Sequence, residues 1–165
     1  MSREAWDLFD AHRQPLGRTH FRSDELEPNT FHTVIEVFTF DKDGKLLLSQ
    51  RHSDKTYPLL WEGTGGSILA GESSRQGAVP ELKEELGLHV DPAQLRFVTT
   101  VKRGTYFLDL YVYGCEQPID VEQLSLQADE VVDVRFVDWD TVLDSVELVP
   151  TVKERLIRFG HLIRT

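Results

Sequence analysis

Cysteine is almost absent from this 165-residue sequence, with Cys115 standing alone. One thiol excludes an intrachain disulfide and any cysteine-based metal cluster. Its place at the end of the β-patterned TYFLDLYVYGC gives it the role of buried strand filler. Long apolar runs are lacking too. None approaches the roughly 20 residues that a membrane-spanning helix needs, and the opening MSREAWDLFD has no apolar core of a secretory signal. The expected setting is therefore the cytosol, with no membrane partner. Positive charge is in short supply, with 18 Lys and Arg against 28 Asp and Glu and a formal net charge of -10. Such a surface repels a nucleic-acid backbone, which excludes polymeric DNA or RNA as a partner. A small anionic ligand would need local cations or a bound metal. The histidines, His12, His20, His32, His52, His89 and His161, show neither HxH nor HExxH spacing, so zinc is not expected. EGTGGS carries neither a GxSxG nucleophile elbow nor a Walker lysine.

What is present is an ordinary globular composition, 40% hydrophobic, long enough for one compact domain spanning 1–165. FHTVIEVFTF is rich in β-branched and aromatic residues, DKDG is a turn signal and KLLLSQR comes next, which predicts a hairpin. Gly65 and Gly66 fall in a loop or strand end. Glu72, Ser73 and Ser74 supply N-cap chemistry for a helix to about Leu86, stopped by Gly87. LRFVTTVKR and TYFLDLYVYGC read as strands joined near Gly104, and EVVDVRFVDW as another. WDTVLDS reads as a helical turn and VPTVKERLIRFGHLI as a closing helix opened by Pro150. Residues 1–30 are the least legible, an extension in which AWDLFD and GRTHF suggest two strands about the turn HRQPLG, placed to cover a pocket or to pair with a second chain. The order points to an α/β architecture, a mixed β-sheet covered by helices.

GGSILAGESSRQGAVPELKEELGL gathers four glutamates, Glu72, Glu81, Glu84 and Glu85, beside paired glycines. At 100° per residue Glu81, Glu84 and Glu85 share an arc, expected to be wet, while Val79, Leu82 and Leu86 share a neighbouring arc facing the core. Like charges at these spacings cost roughly 0.2–0.5 kcal/mol per pair. A cation among the carboxylates would remove that cost, and Mg²⁺ favours such oxygen ligands together with phosphate oxygens. Taken alone, ELKEEL is also a common solvated helix face.

The spacing is more specific. From Gly66 there are five residues to Glu72 and seven more to Pro80, then Glu81-Leu82-Lys83-Glu84-Glu85-Leu86-Gly87-Leu88. This closely resembles the Nudix box, GX5EX7REUXEEXGU with U apolar, departing only where Pro80 replaces the arginine. The resemblance implies the Nudix fold, an α/β/α sandwich, from about Phe31 onward. It implies a hydrolase of a diphosphate linked to another moiety X, using Mg²⁺ or Mn²⁺. Glu81, Glu84, Glu85 and the Gly65 carbonyl would be metal ligands, with Glu72 supporting the metal waters or a helix end. Glu130, with Asp129 second, would be the later acidic residue that completes the site or acts as base.

WDLFDAHRQPLGRTHFR and LLLSQRHSDKTYPLLWEGTGG are further similar to the Nudix proteins nearest isopentenyl-diphosphate isomerase. That likeness implies phosphate contacts for Arg51 and Lys55. It also puts Gly65 where the isomerase carries its catalytic cysteine, so the thiol chemistry is missing. Pro80 removes a helical hydrogen bond and crowds the Gln76 carbonyl, which predicts a kink near 76–79 or a helix restarting at Pro80. It also removes a guanidinium beside the glutamates, which predicts weakened metal binding or catalysis. Trp6, Trp61 and Trp139 are expected as core anchors. Three functions fit, in this order: a metal-dependent hydrolase of a small nucleoside-diphosphate-like or other diphosphate compound, a non-catalytic ligand-binding module of the same fold, and an isomerase. A monomer and a homodimer are both compatible with the composition.

Overall fold

The computed structural model describes residues 3–165. Its first elements are an antiparallel pair, β1 (Ala5–Phe9) and β2 (Pro15–Phe21). The turn is shorter than HRQPLG because Pro15 already pairs with Phe9. Asp10 closes it, its carboxylate accepting from the N–H groups of His12 (2.8 Å) and Gln14 (2.9 Å), as turn aspartates do. The contacts that tie this pair to the rest of the chain include the Arg13–Asp109 ion pair and the Gly71 N–H donated to the Asp7 carboxylate (2.8 Å). Phe9 bridges to Phe31, Ala70 donates its N–H to the Ala5 carbonyl (2.8 Å), and Trp6 stacks on His32 at 4.0 Å between centroids.

The predicted hairpin forms as β3 (His32–Phe40) and β4 (Leu46–Arg51). Direct pairing is confined to its turn end, where Thr39 faces Leu47 and Phe40 faces Leu46. Beyond that the two strands part. β5 (Trp61–Glu62) adds to β4 and β6 (Thr64–Ser67) adds to β3. The chain crosses from one to the other at Gly63, where a Cβ would lie 2.8 Å from the Val37 carbonyl oxygen. No side chain fits there without moving backbone.

The box helix, α1 (Ser74–Leu86), comes after β6. Then come β7 (Leu95–Arg103) and β8 (Tyr106–Gly114), joined through Gly104, with β8 parallel to β3 from His32–Tyr106 to Phe40–Gly114. β9 (Val131–Val137) pairs antiparallel with β4, and α2 (Val142–Ser145) and α3 (Pro150–Ile163) close the chain. The seven strands β3–β9 make one mixed sheet.

Period-two alternation on β3 sorts its side chains to two faces. Ile35 and Val37 pack with Ala78 and Leu82 of α1. Phe38 and Phe40 pack in the other cluster with Val152, Leu156 and Ile163 of α3. The sheet is thus covered by helices on both sides, the α/β arrangement that the element order predicted. Trp61 is buried in the second cluster and Trp139 packs against it. Cys115 lies just past β8 and is half-buried. Among the described residues no helix is long and apolar enough to cross a membrane.

Candidate active site

The box helix begins as its sequence demands. The Ser73 hydroxyl accepts the Gln76 N–H (3.2 Å) and the Gln76 amide oxygen accepts the Ser73 N–H (2.9 Å), a capping box. Gly87 ends it in a left-handed conformation, φ 72°. Between the caps α1 runs without interruption through Pro80, so the helix does not restart there. Its buried stripe is Gly77, Ala78, Leu82, Glu85 and Leu86, and Val79 is only partly buried.

The acidic arc is not the wet face that periodicity suggested. Glu84 is exposed, Glu81 is half-buried and Glu85 is only 6% exposed. The arc turns toward β6, where Gly66 makes the approach feasible: a Cβ on Gly66 would lie 2.2 Å from a Glu81 carboxylate oxygen. Gly77 does the same on the other side, where a Cβ would meet Ile68 at 2.5 Å and Glu72 at 3.1 Å. The paired glycines and the glutamates are parts of one close contact between strand and helix.

Above this contact opens a cavity of about 550 Å³. Every residue that the sequence motifs mark lines it: Gly65, Glu72, Glu81, Glu84, Glu85, Glu130, Arg51 and Lys55. Pro80 lines it too, whereas Asp129 and Cys115 do not. The same cavity contains acids that no motif marks, Glu36 of β3 and Glu62 of β5, along with Arg155 of α3 and the Glu4–Arg22 pair of the first two strands. Glu36 carried a signal, as the one charge inside the apolar run FHTVIEVFTF.

Charge is distributed unevenly. Arg155 donates through Nε to Glu36, and both side chains are buried. Arg51 donates through Nη1 to both oxygens of Glu62 at 2.8 Å and through Nε to the Thr56 carbonyl at 2.6 Å. Lys55 is paired with Glu130. The two cations expected to meet phosphate are thus already engaged by acids of the cavity. Glu4 and Arg22 pair at 2.8 Å on the exposed rim.

Glu81 and Glu85 hold no comparable partner among the described residues. Burial, and then the neighbouring Glu84, pushes the Glu81 carboxyl up to about 7. Burial, and then Glu81, holds that of Glu85 well above the carboxylate range. Among the described residues no three acidic, histidine or cysteine side chains converge into a finished metal cage. The donor set nevertheless fits a hard divalent cation, being oxygen only, drawn out of bulk water and without a countercharge of its own.

A family model, NUDIX domain, matches residues 30–158. An uncharacterized Nudix hydrolase of Listeria innocua is 38% identical over 152 residues, covering 89% of each chain. An isopentenyl-diphosphate Delta-isomerase of Cutibacterium acnes is 27% identical over 146 residues, covering 78% of this chain and 73% of that protein. Among solved structures, DR0079 from Deinococcus radiodurans superposes with a TM-score of 0.76 at 16% identity, over 94% of this chain and 99% of that one. That likeness bears on the fold alone. With the domain match covering most of the chain and the box laid against a glycine strand, the chain belongs to the Nudix hydrolase family.

Proposed function

We propose that the chain hydrolyses the diphosphate linkage of a small nucleoside-diphosphate-like or other diphosphate-X compound, with Mg²⁺ or Mn²⁺. The observation that carries this reading is the pair of carboxylates without an ion-pair partner among the described residues, Glu85 buried at 6% exposure and Glu81 half-buried and pressed against Gly66 of β6. An uncompensated buried charge is expensive, and a chain that keeps two in contact with a cavity has a use for a cation there. Glu81, Glu84, Glu85 and the Gly65 carbonyl would hold the ion, with Glu72 supporting the helix start. A divalent ion bound there supplies charge for the diphosphate and acidity to a water.

The remaining work falls to the protein. Lys55 and Arg51 are the phosphate contacts of this reading. Lys55 is a rotatable point charge that can leave Glu130 for a phosphate oxygen, which would free Glu130 to take a proton from water. Arg51 is held more tightly, between Glu62 and the Thr56 carbonyl. A second reading, a non-catalytic ligand-binding module, is favoured by Pro80, which faces the cavity from mid-helix where a cationic side chain would have offset the glutamates. The isomerase reading ranks last, because Gly65 supplies no thiol and Cys115 does not line the cavity.

The test is cleavage of a panel of diphosphate compounds with Mg²⁺ or Mn²⁺, followed by the appearance of the two products of the broken P–O–P bond, phosphomonoesters or, from a terminal phosphate, inorganic phosphate, for the parent chain, Pro80→Arg and Glu85→Gln. Metal-dependent turnover that Glu85→Gln abolishes is the expected result. Turnover only in Pro80→Arg would make the natural chain a binder with an intact scaffold. Binding without cleavage in either chain would overturn the hydrolase reading.

A further inference from the structure

Among the described residues, eight glutamates and four cationic side chains line the cavity. An anionic ligand entering so acidic a space needs a cation that its present partner can release. Turning Arg155, Arg51 or Lys55 toward a ligand strips Glu36, Glu62 or Glu130 of its partner, and these glutamates are wholly or partly buried. The deeper the glutamate, the more it costs to leave it unpaired. The fourth cation is Arg22, one residue past β2. Its side chain is 65% exposed and that of its partner Glu4 is 48% exposed. Two solvated ions held at 2.8 Å gain little from each other, and Glu4 left alone would be hydrated. Arg22 is therefore the cation of the cavity that is redirected at the smallest cost.

The backbone beneath this side chain is fixed. The Arg22 N–H donates to the Glu4 carbonyl at 3.0 Å, which extends the β1–β2 pairing past Phe21. Ala70 and Gly71, in the loop ahead of α1, hold β1 through the Ala5 carbonyl and the Asp7 carboxylate, both at 2.8 Å. At the turn end of the same hairpin Arg13 grips the buried Asp109 with both guanidinium nitrogens, at 2.6 and 2.7 Å. A solvated side chain thus stands on a rigid mount. The mount sets it within electrostatic reach of the box helix. Burial and Glu84 lead the upward shift of the Glu81 carboxyl, Glu4 adds to it and Arg22 opposes it. Pro80, next to Glu81, lines the cavity without bringing a charge.

We propose that Arg22 is a phosphate-binding residue delivered by the N-terminal hairpin, exchanging Glu4 for an oxygen of the ligand's diphosphate. This deepens the hydrolase reading and rests on it, adding a cation from outside the box motif. Glu4 then works as a latch that holds the guanidinium while the site is empty and lets it go when a more highly charged acceptor arrives. A diphosphate offers paired oxygens, which a planar guanidinium meets with two parallel N–H bonds. The positive charge that Pro80 withholds from the box helix is supplied in this way from another part of the chain.

Calorimetric titration with methylenediphosphonate, a non-hydrolysable diphosphate, in excess Mg²⁺ tests the exchange. The chains compared are the parent, Arg22→Gln, Arg22→Lys, Glu4→Gln and the Glu4→Gln, Arg22→Gln double variant. Arg22→Gln is expected to melt with the parent and to bind about tenfold more weakly, equivalent to about 1.4 kcal/mol. Arg22→Lys keeps the charge and should recover most of that loss. Glu4→Gln removes the latch and should bind about threefold more tightly, the order of an exposed ion pair. That gain should vanish once Arg22 is replaced as well. Lower melting temperatures in both single variants, with affinity unchanged or reduced in both, would make the pair a tie within the hairpin and overturn the inference. A Glu4→Gln gain that persists in the double variant would reduce the effect to the general charge of the rim and overturn the exchange. A parent that binds the probe no better than Arg22→Gln does would overturn this inference and leave the hydrolase reading standing, whereas a parent that does not bind it would overturn both.

Discussion

Two sets of glutamates share one cavity and are treated in opposite ways. Glu36, Glu62 and Glu130 each hold a cation of the same cavity, and the Glu36–Arg155 pair is as buried as any charge in the molecule. Glu85, nearly as deep, and the half-buried Glu81 have each other as charged neighbours, and Glu81 lies against Gly66. The first set behaves as structure, with its charge answered from within the chain. The second is answered by no ion pair among the described residues, with only Arg22 and Lys55 acting on it from a distance. The chain pairs Glu36 at full burial and Glu62 and Glu130 at partial burial, so the two that are left unpaired are where the proposed cation would sit.

The comparison is broken most sharply by moving Glu36 from the first set to the second. Arg155→Met leaves a 4% exposed carboxylate without its partner. The expected loss is about 3–5 kcal/mol in chemical denaturation, and a Glu36→Gln, Arg155→Met double variant should recover much of it. Moving Glu85 the other way should stabilise. Glu85→Gln keeps the shape and removes the charge, so the metal-free protein should gain about 1–3 kcal/mol while its thermal shift on adding Mg²⁺ collapses. A loss of stability in this variant would mean that Glu85 has a structural partner after all.

The smallest effect concerns a third solution to burial, a group that stays neutral. His32 is 7% exposed against Trp6, its Nδ1 has no hydrogen-bond partner, and burial lowers its pKa to about 4 from an ordinary 6.5. Between pH 6.5 and 4 the unfolded chain takes up a proton that the folded chain refuses. Its contribution to stability is therefore present above 6.5 and is lost as pH falls, by at most about 1.4 kcal/mol per pH unit. Denaturation midpoints of the parent and His32→Phe at pH 7, 6 and 5 should diverge by that slope.

Much of this was legible in the sequence because it is local. Ser73, Gln76 and Gly87 cap α1 through neighbours a few residues away, and the hairpin at Asp41–Gly44 is likewise short-range. The spacing from Gly66 to Glu85 brought the site residues into view for the same reason. What periodicity could not give was the environment of an arc. It grouped Glu81, Glu84 and Glu85 correctly, but whether they met solvent or a strand depended on β6, which reaches its place by an unpairing of β3 from β4 that no local pattern signals. The partners of Arg51 and Lys55 were hidden for a related reason. Glu62 lies 11 residues from Arg51 and Glu130 lies 75 from Lys55, so the two cations read as free.

The Glu36–Arg155 pair joins residues 119 positions apart, and that span bears on the order of assembly. Closing a contact of such separation carries the closure entropy of a long loop, which is smaller once the segment between is already ordered. Until α3 docks, the central strand of the sheet carries an unanswered carboxylate among apolar neighbours, and burying that strand stays unfavourable. The last helix thus acts as a completion signal. The cavity reaches its finished form only when most of the polypeptide is already in place, which keeps a half-folded chain from presenting a working site.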